Sequence, residues 1–489
     1  MLPTRLLFAL TALLALPLAG RAQTPPAAPS APCSCRADLD AMVDKIERNY
    51  IAWHLEYKGT PRELDFRRFV AGLQARADAT SSESCIFLVR ELSDWFHDGH
   101  LFVIEYPAVS TDDAARLIRE TETRTTSEPA VRADLARRAG TLDPIEGLWY
   151  AAGLRLAIVP ATTASATAFV AIVLSSDSTS WLPGQVRATF MKRPNGRYET
   201  VARADDHSIR HVESELYRHV LLAVGAESWG RAAPLAPHET GTVHATDPGR
   251  PTFRLVGRDA AVITVPSHDP QYTVALESLV RANAAALAVR PLLVIDIRGD
   301  LGGGSQTTNP LLPMLVSATM RAPIGPKGLS TVVSSPDNIR YFQRGWNPDS
   351  IATRMAAAPG QVMPLMRDET LGLPFPKSAV LSNPTRVAVL MDHGVASAGE
   401  AFALQARQST KVTLYGENSH GMIDYQSVTL VRLACRVRGL LLGYPMIAAS
   451  ATLPKDGLNA KGVPADVAVP HDVPDQVSWV LEHMRRARR

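Results

Sequence analysis

The segment Pro291-Leu-Leu-Val-Ile-Asp-Ile-Arg-Gly-Asp-Leu-Gly-Gly-Gly304 constrains the fold more than any other. An apolar run of strand length with no polar face must be covered on both sides, as the inner strand of an α/β sheet is. The glycines that end it permit positive φ and let a ligand approach the backbone. Their N–H groups could form a nest for a negative oxygen. No Lys-Ser or Lys-Thr follows, so the segment does not read as a phosphate loop; a plain tight turn is the competing reading.

A second strand-to-helix junction lies about a hundred residues on. Arg386-Val-Ala-Val-Leu-Met391 reads as a short buried strand, and Gly399-Glu-Ala-Phe-Ala-Leu-Gln-Ala-Arg407 as a helix. Ser397 sits between them. A serine there is held rigidly beside the free N–H groups of a first helical turn, which suits a nucleophile with an oxyanion site. It also suits an ordinary N-cap serine.

Together these segments resemble the tail-specific, or C-terminal-processing, serine peptidase family, which includes the tricorn core. Its strand-loop pattern D-[LIV]-R-x-N-x-G-G appears as Asp296 to Gly303, with Asp300 in the Asn position. Its S-A-x-E pattern appears as Ser397 to Glu400. Gly416-Glu-Asn-Ser-His-Gly421 resembles the family's G-x-x-T-x-G turn. Lys461-Gly-Val-Pro-Ala-Asp-Val467 resembles its closing G-[IV]-x-P-D segment, with Pro and Ala exchanged. The resemblance covers about 250 to 475. It implies a C-terminal α/β domain of the crotonase-like, ClpP type, a serine acyl-enzyme on Ser397, and an oxyanion hole from the N–H groups of Gly302 and Ala398. It implies a peptide or protein substrate and neither cofactor nor metal. Asp296 and Arg298 are expected to hold the loop, and Glu400 to belong to the helix start.

The processing branch draws its base from a lysine 25 positions after the serine; here that position is Met422. A thioether is no useful base. Phe96-His-Asp-Gly-His-Leu101 resembles the segment that supplies a histidine base in the tricorn branch, which puts His100 in that role. Its orienting partner stays open among Asp456, Asp98 and Asn459. His97 with His100 lacks a third ligand for a metal. A non-catalytic ligand- or peptide-binding protein on the same scaffold is the alternative, as retinoid-binding relatives illustrate; a serine esterase is a third reading.

The whole chain reads as a multidomain α/β protein. Residues 1–22 read as a secretory signal: Arg5, an apolar Leu6–Leu18 core too short to span a bilayer, and a Gly20-Arg-Ala22 cleavage site. A Pro/Ala linker follows at 23–32. The signal implies an exported protein, periplasmic or secreted, with no integral membrane segment once it is removed, and permits disulfides among Cys33, Cys35, Cys85 and Cys435. Helical spacing marks an N-terminal helical region over 33–140, including one charged helix over Asp113–Ala139. Short apolar runs between turn residues mark a β-rich module over 145–245, without the carboxylate-binding loop of a PDZ domain. The catalytic domain is expected over 250–475, with a helix over Asn309–Ser317 after the glycine loop and a Pro-rich excursion at 323–378 as a candidate lid. A C-terminal helix and basic tail close the chain at 476–489. A net charge of +3 with dispersed basic residues gives no case for nucleic acid. Oligomeric state is not readable.

Overall fold

The structure is a computed structural model that describes residues 33–162, 167–321, 330–345, 348–365, 381–449, 453–454 and 456–486. The expected signal, the linker and the last three residues of the basic tail lie outside these, as does much of the expected lid.

A six-stranded sheet carries the C-terminal unit. Its order is Thr252–Val256, Ala260–Thr264, Leu292–Asp296, Arg386–Met391, Val412–Gly416, Val467–Ala468. Only the first pair is antiparallel. The run at 292–296 is buried on both faces because its side chains alternate between two cores. Leu293 and Ile295 pack with Phe402 and Leu404 of the Ala398–Arg407 helix. Leu292 and Val294 pack with Val477, Val480 and Leu481 of the Gln476–Arg486 helix. Parallel strands all end at one edge of such a sheet. Here that edge collects the glycine loop, the Ser397 turn and the segment after Gly416.

A second, antiparallel sheet carries Phe102–Glu105 and Tyr425–Arg432, both paired with the long strand Leu440–Ala448. The helices Cys35–Asn49, Pro61–Ala77 and Cys85–Asp94 cover it in one aromatic core with Tyr50, Trp53, Phe66 and Phe96. Two disulfides fasten this unit, Cys35–Cys85 and Cys33–Cys435. The described part of the Pro-rich excursion joins it too: Thr331–Val333 pairs with the Leu440–Ala448 strand and with Val362–Pro364.

The β-rich module is a closed barrel of eight antiparallel strands between Gly147 and Ala233. Trp149, Trp229, Phe169, Phe190 and Tyr198 fill its interior. The hairpin at Tyr217–Leu221 reaches the same edge of the six-stranded sheet. A side chain at Gly299 would lie 2.8 Å from Tyr217 Cβ, and one at Gly394 would lie 2.4 Å from its ring. Both loops thus approach the barrel where they carry glycine.

The expected helix over Asp113–Ala139 is two, Thr111–Glu120 and Glu128–Arg137. Ser127 caps the second and Pro129 lies in its first turn, a combination that starts a helix rather than continuing one. The Asn309–Ser317 helix shortens to a 3-10 turn and one helical turn ending at Leu315.

The Cys35–Cys85 bridge closes a separation of 50 residues. Replacing both cysteines by serine should lower unfolding free energy by about 2–4 kcal/mol in a urea titration. An unchanged midpoint would show that the helices alone fix this unit.

Candidate active site

Ser397 is the residue before the Ala398–Arg407 helix and has φ 52°, ψ −113°. A non-glycine residue in this region costs on the order of 1–3 kcal/mol and persists only where its surroundings impose it. Ser397 occupies the N-cap position of this helix, and its own N–H is bonded to the Glu400 carboxylate three residues on, as in a capping box. Ser397 is half-buried, between buried Ala396 and Ala398.

Glu400 imposes the turn. Its carboxylate is fully buried and accepts four hydrogen bonds. Oε2 takes the N–H groups of Ser397 (2.9 Å) and Met422 (2.7 Å). Oε1 takes the Ser419 hydroxyl (2.5 Å) and the Gly421 N–H (2.8 Å). Glu400 therefore joins the Ser397 turn to the segment that was expected to carry a lysine. The sequence reading placed it at the helix start only. Its position three residues after a candidate cap serine was the available signal.

The glycine loop lies directly against the turn. A Cβ at Gly302 would be 2.8 Å from Ser397 Cβ and 3.2 Å from Ala398 N. The Ala396 N–H donates to the Asp300 carbonyl (2.9 Å), which locks the two loops in register. Ala398 is the first helical residue, so its N–H has no intrahelical acceptor. The Gly302 N–H differs from expectation: it donates to Asp300 Oδ1 (3.0 Å). As expected, Asp296 and Arg298 hold the loop. Arg298 donates to both carboxylate oxygens, at 2.9 and 2.8 Å.

His100 arrives from the other sheet, just before the Phe102–Glu105 strand. The Gly99 backbone lies against the Met422 side chain, whose Cγ is 2.6 Å from the position of a Cβ. Met422 in turn shares Glu400 Oε2 with Ser397. The structure thus brings the His100 segment to the Ser397 turn through Met422 and Glu400, although no hydrogen bond joins His100 to Ser397 among the described residues. The His100 ring is 6% exposed, and its Nδ1 bonds the Tyr425 carbonyl at 2.6 Å. A carbonyl only accepts, so the proton sits on Nδ1 and Nε2 keeps its lone pair. Burial pushes the imidazole down to about 4; the Tyr425 carbonyl opposes this and His420 adds to it.

Among the described residues, none of the three expected orienting groups is hydrogen-bonded to the ring. Asp98 Oδ1 accepts the His100 backbone N–H (3.0 Å), and its Oδ2 accepts the Tyr50 hydroxyl (2.7 Å). Burial raises the Asp98 carboxyl to about 6. Asn459 Oδ1 accepts the N–H groups of Ile423 (3.1 Å) and Asp424 (3.0 Å). The Asp456 carbonyl meets Lys461 Nζ (2.8 Å). The orienting atom is a main-chain oxygen, which no residue-type pattern could reveal. Among the described residues, no group of three His, Cys, Asp or Glu is placed to hold a metal.

With this geometry in view, residues 259–469 match the sequence profile of peptidase family S41. This segment belongs to peptidase family S41. The chain is a serine-type peptidase, a hydrolase of protein or peptide substrates. No curated protein matches the chain. Among solved structures, mature CPAF complexed with lactacystin is similar at 12% identity and TM-score 0.45, covering 93% of this chain and 98% of its own. The photosystem II D1 C-terminal processing protease is similar at 12% identity and TM-score 0.36, with 90% and 94% covered. The tricorn protease is similar at 10% identity and TM-score 0.40, with 92% of this chain and 36% of its own covered.

Replacing Glu400 by Gln turns an all-acceptor group into one that presents N–H groups to other N–H groups. Each buried donor left unanswered costs about 1–3 kcal/mol. The protein carrying Glu400→Gln should lose at least one such increment of stability in a denaturant melt. A variant as stable as the parent would show that the turn is held by other contacts.

Proposed function

We propose that this S41 peptidase acts by acylation of Ser397, with His100 as general base in place of the lysine that Met422 displaces. The single observation that carries the reading is the protonation geometry of His100. Nδ1–H is fixed on the Tyr425 carbonyl, so the unprotonated Nε2 is the atom left for proton transfer. A serine hydroxyl gives up its proton only to such an acceptor. The same Nε2 would then return the proton to the leaving amine. The Ala398 N–H would receive the tetrahedral oxygen, joined by the Gly302 N–H once it leaves Asp300.

A backbone carbonyl orients the ring but does not offset an imidazolium charge as a carboxylate would. The mechanism therefore predicts slow turnover. It acts on peptide bonds of protein or peptide substrates, outside the cytoplasm, in line with the signal-like leader and the two disulfides. Among the described residues no helix is long and apolar enough to cross a membrane.

Ser397→Ala should abolish fluorophosphonate labelling and casein hydrolysis, whereas His100→Ala should cut the labelling rate about 10²–10⁴-fold. Labelling of the Ser397→Ala protein at the parental rate would defeat the proposal. The pH dependence is a separate check. The base form of His100 persists above about pH 4, so the acid limb of kcat/KM should lie near pH 4 rather than near 6.5. Stability should follow the same sign. Between about pH 6.5 and 4 the unfolded chain takes up a proton that folded His100 refuses, so stability falls as pH falls through that window. An acid limb at about 6.5 would assign the base to a more exposed group.

A further inference from the structure

Resting on that reading, we infer that Asp300 is a positioning residue that controls the second oxyanion donor. It holds the Gly302 N–H in the resting enzyme and must release it as the tetrahedral oxygen forms, while His268 keeps Asp300 in place.

Asp300 and His268 are both fully buried. The Asp300 carboxylate gathers three donors. Oδ1 accepts the N–H groups of His268 (3.1 Å) and Gly302 (3.0 Å), and Oδ2 meets His268 Nδ1. His268 also holds the far end of the glycine loop. Its carbonyl accepts the Gly304 N–H (2.8 Å) and the Thr307 hydroxyl (2.7 Å). Its Nε2 meets Thr308 Oγ1 at 3.2 Å. Asp300 thus links the segment that follows the Ala260–Thr264 strand, the glycine loop and, through its carbonyl, the residue before Ser397.

Two consequences follow for the reaction. An N–H bound to a carboxylate is held more strongly than one bound to a neutral oxygen, so its transfer to the oxyanion is opposed. The carboxylate also lies against the first turn of the nucleophile helix, with Oδ2 3.4 Å from where a Gly399 Cβ would be. A negative group there competes with the forming oxyanion for the positive end of the same helix. Both effects slow acylation, and an amide at this position relieves both. The side-chain amide introduced by Asp300→Asn would still accept from Gly302 and His268 through Oδ1. Its Nδ2 would donate to His268 Nδ1, with the ring proton moved to Nε2 and given to Thr308 Oγ1.

The test compares Asp300→Asn with the parent in fluorophosphonate labelling. Phosphonylation places negative charge in the same hole but needs no knowledge of the natural substrate. The maximal labelling rate should rise about 3- to 10-fold, as expected when a charge-assisted bond becomes a neutral one, with the half-saturating concentration unchanged. A purely structural role would lower the rate or leave it alone. A crystal structure of the parental adduct provides the second reading, independent of whether the variant folds. Gly302 N should have left Asp300 Oδ1 for the phosphonyl oxygen. A parent that labels on Ser397, with an equal or slower Asp300→Asn rate or with Gly302 N still on Asp300, overturns this inference alone. A parent that does not label on Ser397 removes the acylation mechanism and this inference with it.

Discussion

Everything at the catalytic edge depends on one buried carboxylate. Glu400 has no cation beside it in its hydrogen-bond set; four neutral donors satisfy its oxygens instead. Such a group is costly to desolvate and tolerable only when every lone pair is answered. That requirement ties three elements together. The Ser397 turn, the Ser419 hydroxyl and the Gly421–Met422 backbone must all present donors to the same point. The strained φ of Ser397 is the local cost of this convergence. The Met422 side chain, fixed by its own N–H on Glu400, then fills the space over Gly99 and sets where His100 stands.

The two units of the site are positioned by different means. The parallel sheet aims its loops because strands of like direction end at one edge, and inter-loop bonds such as Ala396 to Asp300 fix the register. His100 belongs to the antiparallel sheet, whose strand order brings the Tyr425 carbonyl beside the ring. A histidine placed this way depends on long-range packing rather than on a local motif. Disulfides fasten the helical unit that carries it, and the barrel's Tyr217 lies against the parallel-sheet loops at Gly299 and Gly394.

The buried acids near the serine divide the work by what they touch. Glu400 shapes the Ser397 turn, Asp98 the backbone of His100, Asp296 the loop through Arg298, and Asp300 the glycine loop through His268. None of them bonds the His100 ring. Charge at this site is thus directed at backbone geometry.

The sequence by itself determined the elements whose reasons are local. The apolar run at 292–296 could only be an inner strand, and the Ser397 turn and its helix follow from capping and spacing. Together they were enough to point to the S41 family. The barrel was legible as β-rich from its alternating runs, but its closure was not. Closure depends on Gly147–Ala151 pairing with Glu227–Ala233, elements far apart in the chain. The single charged helix expected over 113–139 failed for a local reason that was present in Ser127 and Pro129. What only the tertiary structure decided is the company each group keeps: Tyr425 rather than an acid on His100, Asp300 on the Gly302 N–H, and Glu400 as a junction. These are contacts between main-chain atoms and distant side chains. Backbone donors and acceptors are the same at every non-proline residue, so the sequence carries no mark of which one is used.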